Sequence, residues 1–191
     1  MNGKNLSNKN VIQIKSRGVE YLQFRRFIEY EDKIEHCYSL RPLDYNMDNK
    51  DKTIDSYSKI CTALNLDVEK IYRPKQTHSN NIKIVLDQEA GIYGEFTDVD
   101  GLITDKSNKI LSLTYADCIC LYFYDPVKNV IGNIHSGWRG TYQQIAKTAV
   151  KILKQKYGVK PEDLICRNST KYKKMLLWSR WRCKRNVLWE I

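Results

Sequence analysis

Two of the chain's three histidines, His78 and His135, and one of its six cysteines, Cys118, fall in three short stretches. These are K-Q-T-H at 75–78, A-D-C at 116–118 and H-S-G-W-R-G at 135–140. Imidazole and thiolate are the ligands that a borderline-soft ion such as zinc prefers. Three protein ligands also leave a fourth position for water or substrate. That open position separates a reactive centre from a structural clip. The residues therefore predict a metal-assisted enzyme, with His78, Cys118 and His135 as ligands, zinc as the cofactor and copper as its alternative. The bland reading of Cys118 is a buried core thiol, which is also the expectation for its neighbour Cys120.

The elements that must position these residues form an α/β pattern. Residues 18–28 and 34–40 carry apolar, β-branched and aromatic runs expected of strands. Ile54, Tyr57, Cys61 and Leu64 recur at helical spacing over 52–65. Further strands are expected near 82–86, 110–115, 119–124 and 129–134. Asp125-Pro126 and Lys128-Asn129 predict a tight turn that makes the last two an antiparallel pair. Thr141 and Gln144 have capping-box spacing for a helix over about 142–157 that buries Ile145, Ala149 and Ile152 or Leu153. Gly158 ends that helix.

On this pattern Cys118 follows the strand Ile110–Tyr115, and His135 follows the strand Val130–Ile134. Both lie on loops held by a rigid sheet. Gly137 and Gly140 let the backbone turn around His135, and Arg139 adds positive charge near a helix start that suits phosphate. Tyr122-Phe123-Tyr124 is expected to serve strand packing. Trp138 fits purine stacking and core packing equally. Asp98, Asp100 and Asp105 lack the spacing of a calcium loop and are expected to be turn residues.

A length of 191 residues suits one domain with a sizeable core, and 42% apolar residues argue against a disordered chain. No run approaches the ~18 apolar residues of a membrane span, and Met1–Asn5 opens no signal peptide. A cytoplasmic protein away from membranes is expected, with its cysteines reduced. The net charge of +10 is concentrated in residues 167–191, which hold eight Lys/Arg against one acid and three of the four tryptophans. The first 166 residues are left with a net +3, so a nucleic-acid partner is not the expectation.

The tail itself fits a displaced reading frame. Shifted by one base, Met175-Leu176 encodes Cys and Trp189-Glu190 encodes Gly, and the segment can read A-I-V-P-S-I-R-K-C-C-Y-G-V onward. The chain is thus expected to comprise a domain over 1–166 and an out-of-frame basic tail over 167–191. The alternative is a genuine cationic tail.

The combination Q-T-H (76–78), D-V-D-G-L-I-T-D (98–105), L-T-Y-A-D-C (113–118) and H-S-G-W-R-G (135–140) resembles the YfiH/YlmD family. That family is catalogued as multicopper polyphenol oxidases, or laccase-domain proteins, and is regarded as zinc-dependent purine nucleoside phosphorylases. The likeness covers roughly residues 34–166. The shifted-frame tail is also similar to the family's A-I-G-P-S-I-x-x-C-C-Y-E-V. The resemblance implies a mixed-sheet, layered single domain of α/β class, incomplete at its C-terminus, with the metal on His78, Cys118 and His135.

It also implies phosphorolysis of adenosine, inosine, guanosine and methylthioadenosine, with deamination of adenosine. Purine nucleosides and phosphate are the expected partners, and a monomer is the favoured state. In that setting Gln76 either binds substrate or orients a ligand. Asp117 is a proton carrier or a support to the ligands, and Arg139 and Arg41 bind phosphate. Arg41 lies in H-C-Y-S-L-R, where the family's following G-G-V-S is replaced by Arg41-Pro42-Leu43-Asp44-Tyr45.

Two other functions fit the residues. A metal-free hydrolase or deamidase would use Cys118 as nucleophile and His135 as base. A nucleic-acid binder would use the basic tail. A multicopper oxidase needs more histidines than three.

Overall fold

The computed structural model describes residues 5–45, 49–86 and 96–169. The chain divides into two compact units, Met1–Glu69 and Lys70–Ile191. In the first, β1 (Val11–Ser16) and β2 (Val19–Phe24) form an antiparallel hairpin, and β3 (Tyr38–Ser39) pairs with β2. A short helix α1 (Arg25–Ile28) follows β2 directly. The expected strand over 18–28 therefore stops at Phe24, where Phe27 turns into the core. The hairpin partner β1 was not anticipated. Helix α2 (Lys50–Leu64) opens with the Asn49 side chain accepting from the Lys52 amide and closes on left-handed Asn65. Its buried face is Thr53, Ser56, Tyr57, Ile60 and Cys61. Ile54, expected inside, is exposed.

The second unit is built on a five-stranded sheet. Its strands are β5 (Ile82–Ile84), β6 (Gly101–Thr104), β8 (Ile119–Asp125), β9 (Val130–Ser136) and β10 (Ile165–Asn168). Their order is β10-β8-β9-β6-β5. Only β5 and β6 run parallel; every other pairing is antiparallel. The expected β8–β9 hairpin is present in full, from Ile119 opposite Ser136 to Asp125 opposite Val130. A smaller parallel pair joins β4 (Ile71–Tyr72) to β7 (Ile110–Leu111). Thus β7 ends four residues before the expected Tyr115, and 112–118 is loop.

Alternation along the strands sends neighbouring side chains to opposite sheet faces. Ile103 packs with Leu121, Phe123, Val130 and Ile134 on one face, and Leu102 packs with Tyr72, Val85 and Phe96 on the other. The first face is covered by α4 (Ile145–Tyr157), whose Ile145, Ala149 and Leu153 are fully buried. Each large side chain placed there contributes about 1.5–3 kcal/mol. Gly158 ends α4 in the left-handed conformation, as expected.

The single helix expected over 142–157 is instead two, α3 (Trp138–Tyr142) and α4, separated by Gln144 at φ 60°. No side chain caps either start. The Thr141 hydroxyl contacts Ser136 Oγ at 2.8 Å, so the capping box does not form.

β10 runs through Arg167 and Asn168, past the expected end of the domain at 166, in register with Tyr122 and Leu121. The rest of the basic tail, 170–191, lies outside the described residues.

Candidate metal centre

The topology brings the three predicted ligands to one end of the five-stranded sheet. His78 precedes β5, Cys118 immediately precedes β8, and His135 is the penultimate residue of β9. β5 and β6 are parallel and both β6 and β8 are antiparallel to β9, so three strand starts and one strand end share that edge. His135 is thus part of the strand and 3% exposed, not on the loop where the sequence suggested it. The sheet extends two residues further than the apolar run because His135 and Ser136 continue the ladder with Cys120 and Ile119.

The ligand atoms of His78, Cys118 and His135 all lie within 4.8 Å of one another, with His78 exposed, Cys118 half-buried and His135 buried. Among the described residues this is the one such group. Cys118 Sγ sits 3.6 Å from His78 Nε2, and the two imidazole rings meet edge-to-face with centroids 4.9 Å apart. A tetrahedral zinc with bonds of about 2.3 Å to sulfur and 2.0–2.1 Å to nitrogen would hold S and N about 3.5 Å apart. The donor types and this spacing fit such an ion.

One buried carboxylate, Asp100, joins two of the ligand-bearing segments. It lies just before β6 and is fully buried. Its Oδ2 accepts from the Ser79 amide and hydroxyl, both at 2.7 Å, and from the Thr77 amide at 3.2 Å. Its Oδ1 accepts from the His78 amide at 3.1 Å and meets His135 Nδ1 at 2.7 Å. The backbone carbonyl of Asp100 also accepts from the His135 amide. Three consecutive amides around one anion form a nest, and this one holds His78 at φ 62°, a left-handed conformation uncommon for a non-glycine residue. Burial alone would raise the Asp100 carboxyl. The hydrogen bonds from His135, Ser79 and Thr77 outweigh it, and its pKa is lowered.

Asp100 was expected to be a turn residue. The sign that separates it from Asp98 and Asp105 is its place directly before the apolar run Gly101-Leu102-Ile103. Asp98 does behave as expected, at φ 56°, accepting from the side chains of Thr77 and Asn81.

The remaining expected residues are placed as follows. Both ends of the Gln76 amide are used on one residue: Nε2 donates to the Thr114 carbonyl at 2.8 Å and Oε1 accepts from the Thr114 amide at 2.9 Å. This ties the segment before His78 to the loop that leads to Cys118. Asp117 is exposed on that loop. Arg139 is exposed on α3, its guanidinium 5.1 Å from the Trp138 ring, and Trp138 itself is 69% exposed and so is not core. Arg41 belongs to the first unit, on the exposed turn after β3. Cys120 is fully buried, its thiol pushed well up by burial and donating to Asn133 Oδ1.

Gly137 matters for its lack of a side chain rather than for its φ of −70°, which any residue adopts. A Cβ there would stand 2.4 Å from His78 Cδ2 and 3.3 Å from His135 Cε1.

The profile of the multi-copper polyphenol oxidoreductase laccase family matches residues 35–171. The purine nucleoside phosphorylase YlmD of Bacillus subtilis is 36% identical over 110 residues, 55% of this chain and 40% of that protein. The human purine nucleoside phosphorylase LACC1 is 34% identical over 111 residues, 58% of this chain and 24% of that protein. The crystal structure of the Bacillus licheniformis hypothetical protein YfiH superposes with a TM-score of 0.64 at 26% identity, covering 87% of this chain and 64% of that one. The chain therefore matches less than half the length of these curated relatives.

Proposed function

Because the chain belongs to the multi-copper polyphenol oxidoreductase laccase family, we propose that it provides the metal centre of a purine nucleoside phosphorylase, with zinc on His78, Cys118 and His135. The observation that carries this reading is the His-Cys-His cluster at one sheet end, in a chain whose relatives are named purine nucleoside phosphorylases. A single three-donor cluster among the described residues does not supply several coppers, which favours zinc over the chemistry in the family's name. When bound, the ion supplies charge and Lewis acidity at its open position.

The protein's residues do the rest. Arg139 carries the charge that attracts phosphate. A phosphate oxygen attacks C1′ of the ribose, the bond from C1′ to the purine nitrogen breaks, and its electron pair leaves with the base. Asp117, exposed beside Cys118, serves the proton that the departing purine takes up. Gln76 fixes the Thr114 loop and so orients Cys118. Adenosine, inosine, guanosine and methylthioadenosine are the substrates of this reading, with adenosine deamination at the same centre.

We place the protein in the cytoplasm. The six cysteines have no regular framework spacing, and no helix among the described residues is long and apolar enough to cross a membrane. The test of function is hypoxanthine release from inosine by zinc-loaded protein. Release that requires phosphate and yields ribose 1-phosphate is expected. Release at the same rate without phosphate contradicts phosphorolysis.

A second reading takes Cys118 as nucleophile and His135 as base, their ligand atoms within 4.8 Å of each other and Asp100 orienting His135, a nucleophile–base–orienter set for a metal-free hydrolase. Full activity in the presence of a strong chelator would select it.

A further inference from the structure

We propose that Asp100 is the positioning residue of the metal centre, fixing the His135 tautomer and the His78 backbone so that both imidazoles are presented before any ion arrives. This rests on the metal-centre reading above.

The hydrogen bonds leave little freedom. An ionised carboxylate only accepts, so the imidazole nitrogen 2.7 Å from Oδ1 must be the one that carries the proton. A neutral His135 is then the Nδ1–H tautomer, the form whose Nε2 has a lone pair for the centre. Turning the ring away would take the His135 partner from a fully buried carboxylate. His135 is itself 3% exposed, and its amide is tied to the Asp100 carbonyl.

The same carboxylate collects the amides of Thr77, His78 and Ser79. It thereby stabilises the left-handed conformation at His78, of a kind that persists only where surrounding contacts impose it. Asp100 can reach both segments because Gly101 pairs with Ile134 on one side and Ile82 on the other. That register sets Asp100 opposite His135 and beside the turn that carries His78.

Asp100→Asn separates positioning from mere packing, because it keeps the volume and changes one acceptor into a donor. Three donors converge on Oδ2 and two on Oδ1, so the asparagine oxygen stays with Thr77 and Ser79. Its NH2 then faces His135 Nδ1, which must accept, and the proton moves to Nε2, where it blocks the ligand lone pair. The same NH2 opposes the His78 amide.

The experiment is ¹⁵N NMR of His135 in the zinc-free 191-residue chain, with zinc titration against a chromophoric chelator. The wild type should show Nδ1–H, Asp100→Asn should show Nε2–H, and zinc affinity should fall about 10–100-fold. Wild-type protein with its proton on Nε2 overturns the proposal, and that reading stands even if the variant fails to fold. A folded Asp100→Asn that binds zinc like the wild type also overturns it and leaves the metal centre intact. A wild type that takes up no zinc contradicts the metal-centre reading and this proposal together.

Discussion

Replacing Gly137 by alanine should damage the metal centre while sparing the fold. The backbone at 137, φ −70° and ψ 171°, accepts alanine without strain. The added Cβ, however, would lie 2.4 Å from His78 Cδ2. Ordinary contact needs about 3.4 Å or more, so the His78 ring must move by about 1 Å. His78 is exposed, and swinging its ring into solvent relieves the overlap cheaply. The loss of chain entropy in the unfolded state that accompanies Gly→Ala favours the variant by about 0.4–1 kcal/mol. Zinc-free stability should therefore stay within about 1 kcal/mol of wild type.

The centre has no such slack. Cys118 Sγ and His78 Nε2 already stand at 3.6 Å, close to the spacing a tetrahedral ion requires, and a 1 Å displacement removes His78 from the shell. Zinc affinity should drop at least about 10–100-fold, the range seen when only a supporting partner of a ligand is removed. Urea denaturation and zinc competition measure the two quantities separately. Wild-type zinc affinity in Gly137→Ala would refute the reasoning, because His78 would then not be a ligand in the geometry described.

Other perturbations have equally defined outcomes. Leu153→Ala empties a fully buried site beneath the sheet and should cost about 2–5 kcal/mol by urea denaturation; a cost below about 1 kcal/mol would mean α4 is not packed there. His36 stacks on Phe24, meets Phe27 edge-to-face and accepts from the Phe24 amide. Burial lowers its pKa from 6.5 to about 4. Above pH 6.5 it is neutral in both states. As pH falls from 6.5 to 4 the unfolded chain takes a proton that the folded chain refuses, so stability drops by up to about 3 kcal/mol. Glu35, whose pKa is raised by burial, partly offsets that loss at the acid end. His36→Asn keeps an acceptor and should flatten the slope; an unchanged slope places the titration elsewhere. Sequencing the gene across codons 160–191 should reveal a one-base shift near codon 166, whereas an uninterrupted frame through Ile191 would make the cationic tail genuine.

The candidate ligands were legible because the chain has only three histidines and the chemistry of histidine and cysteine is distinctive. The carboxylate that organises them was not. Asp100 sits among Asp98 and Asp105 in a stretch with ordinary turn composition, and only the pairing of β6 with both β5 and β9 shows it buried at their meeting point. The β8–β9 hairpin was legible from Asp125-Pro126 and the apolar runs that flank it, since turn chemistry and alternation agree there.

The break between α3 and α4 was hidden for a physical reason. Thr141 has the right spacing to cap, but its hydroxyl is drawn to Ser136 at the end of β9, a tertiary contact that local pattern cannot show. Likewise Thr53 and Ser56 occupy the buried face of α2 while Ile54 faces solvent. Serine 56 is used inside by the Asp44 amide, so burial there follows a hydrogen bond rather than hydrophobicity.

The most direct test of the central claim is the metal content of the purified chain, measured by mass spectrometry in the wild type and in Cys118→Ala. The account predicts one zinc per wild-type chain and loss of that zinc in the variant. Several coppers per chain, or zinc retained at full stoichiometry and affinity without the Cys118 thiol, would contradict a single His78–Cys118–His135 centre.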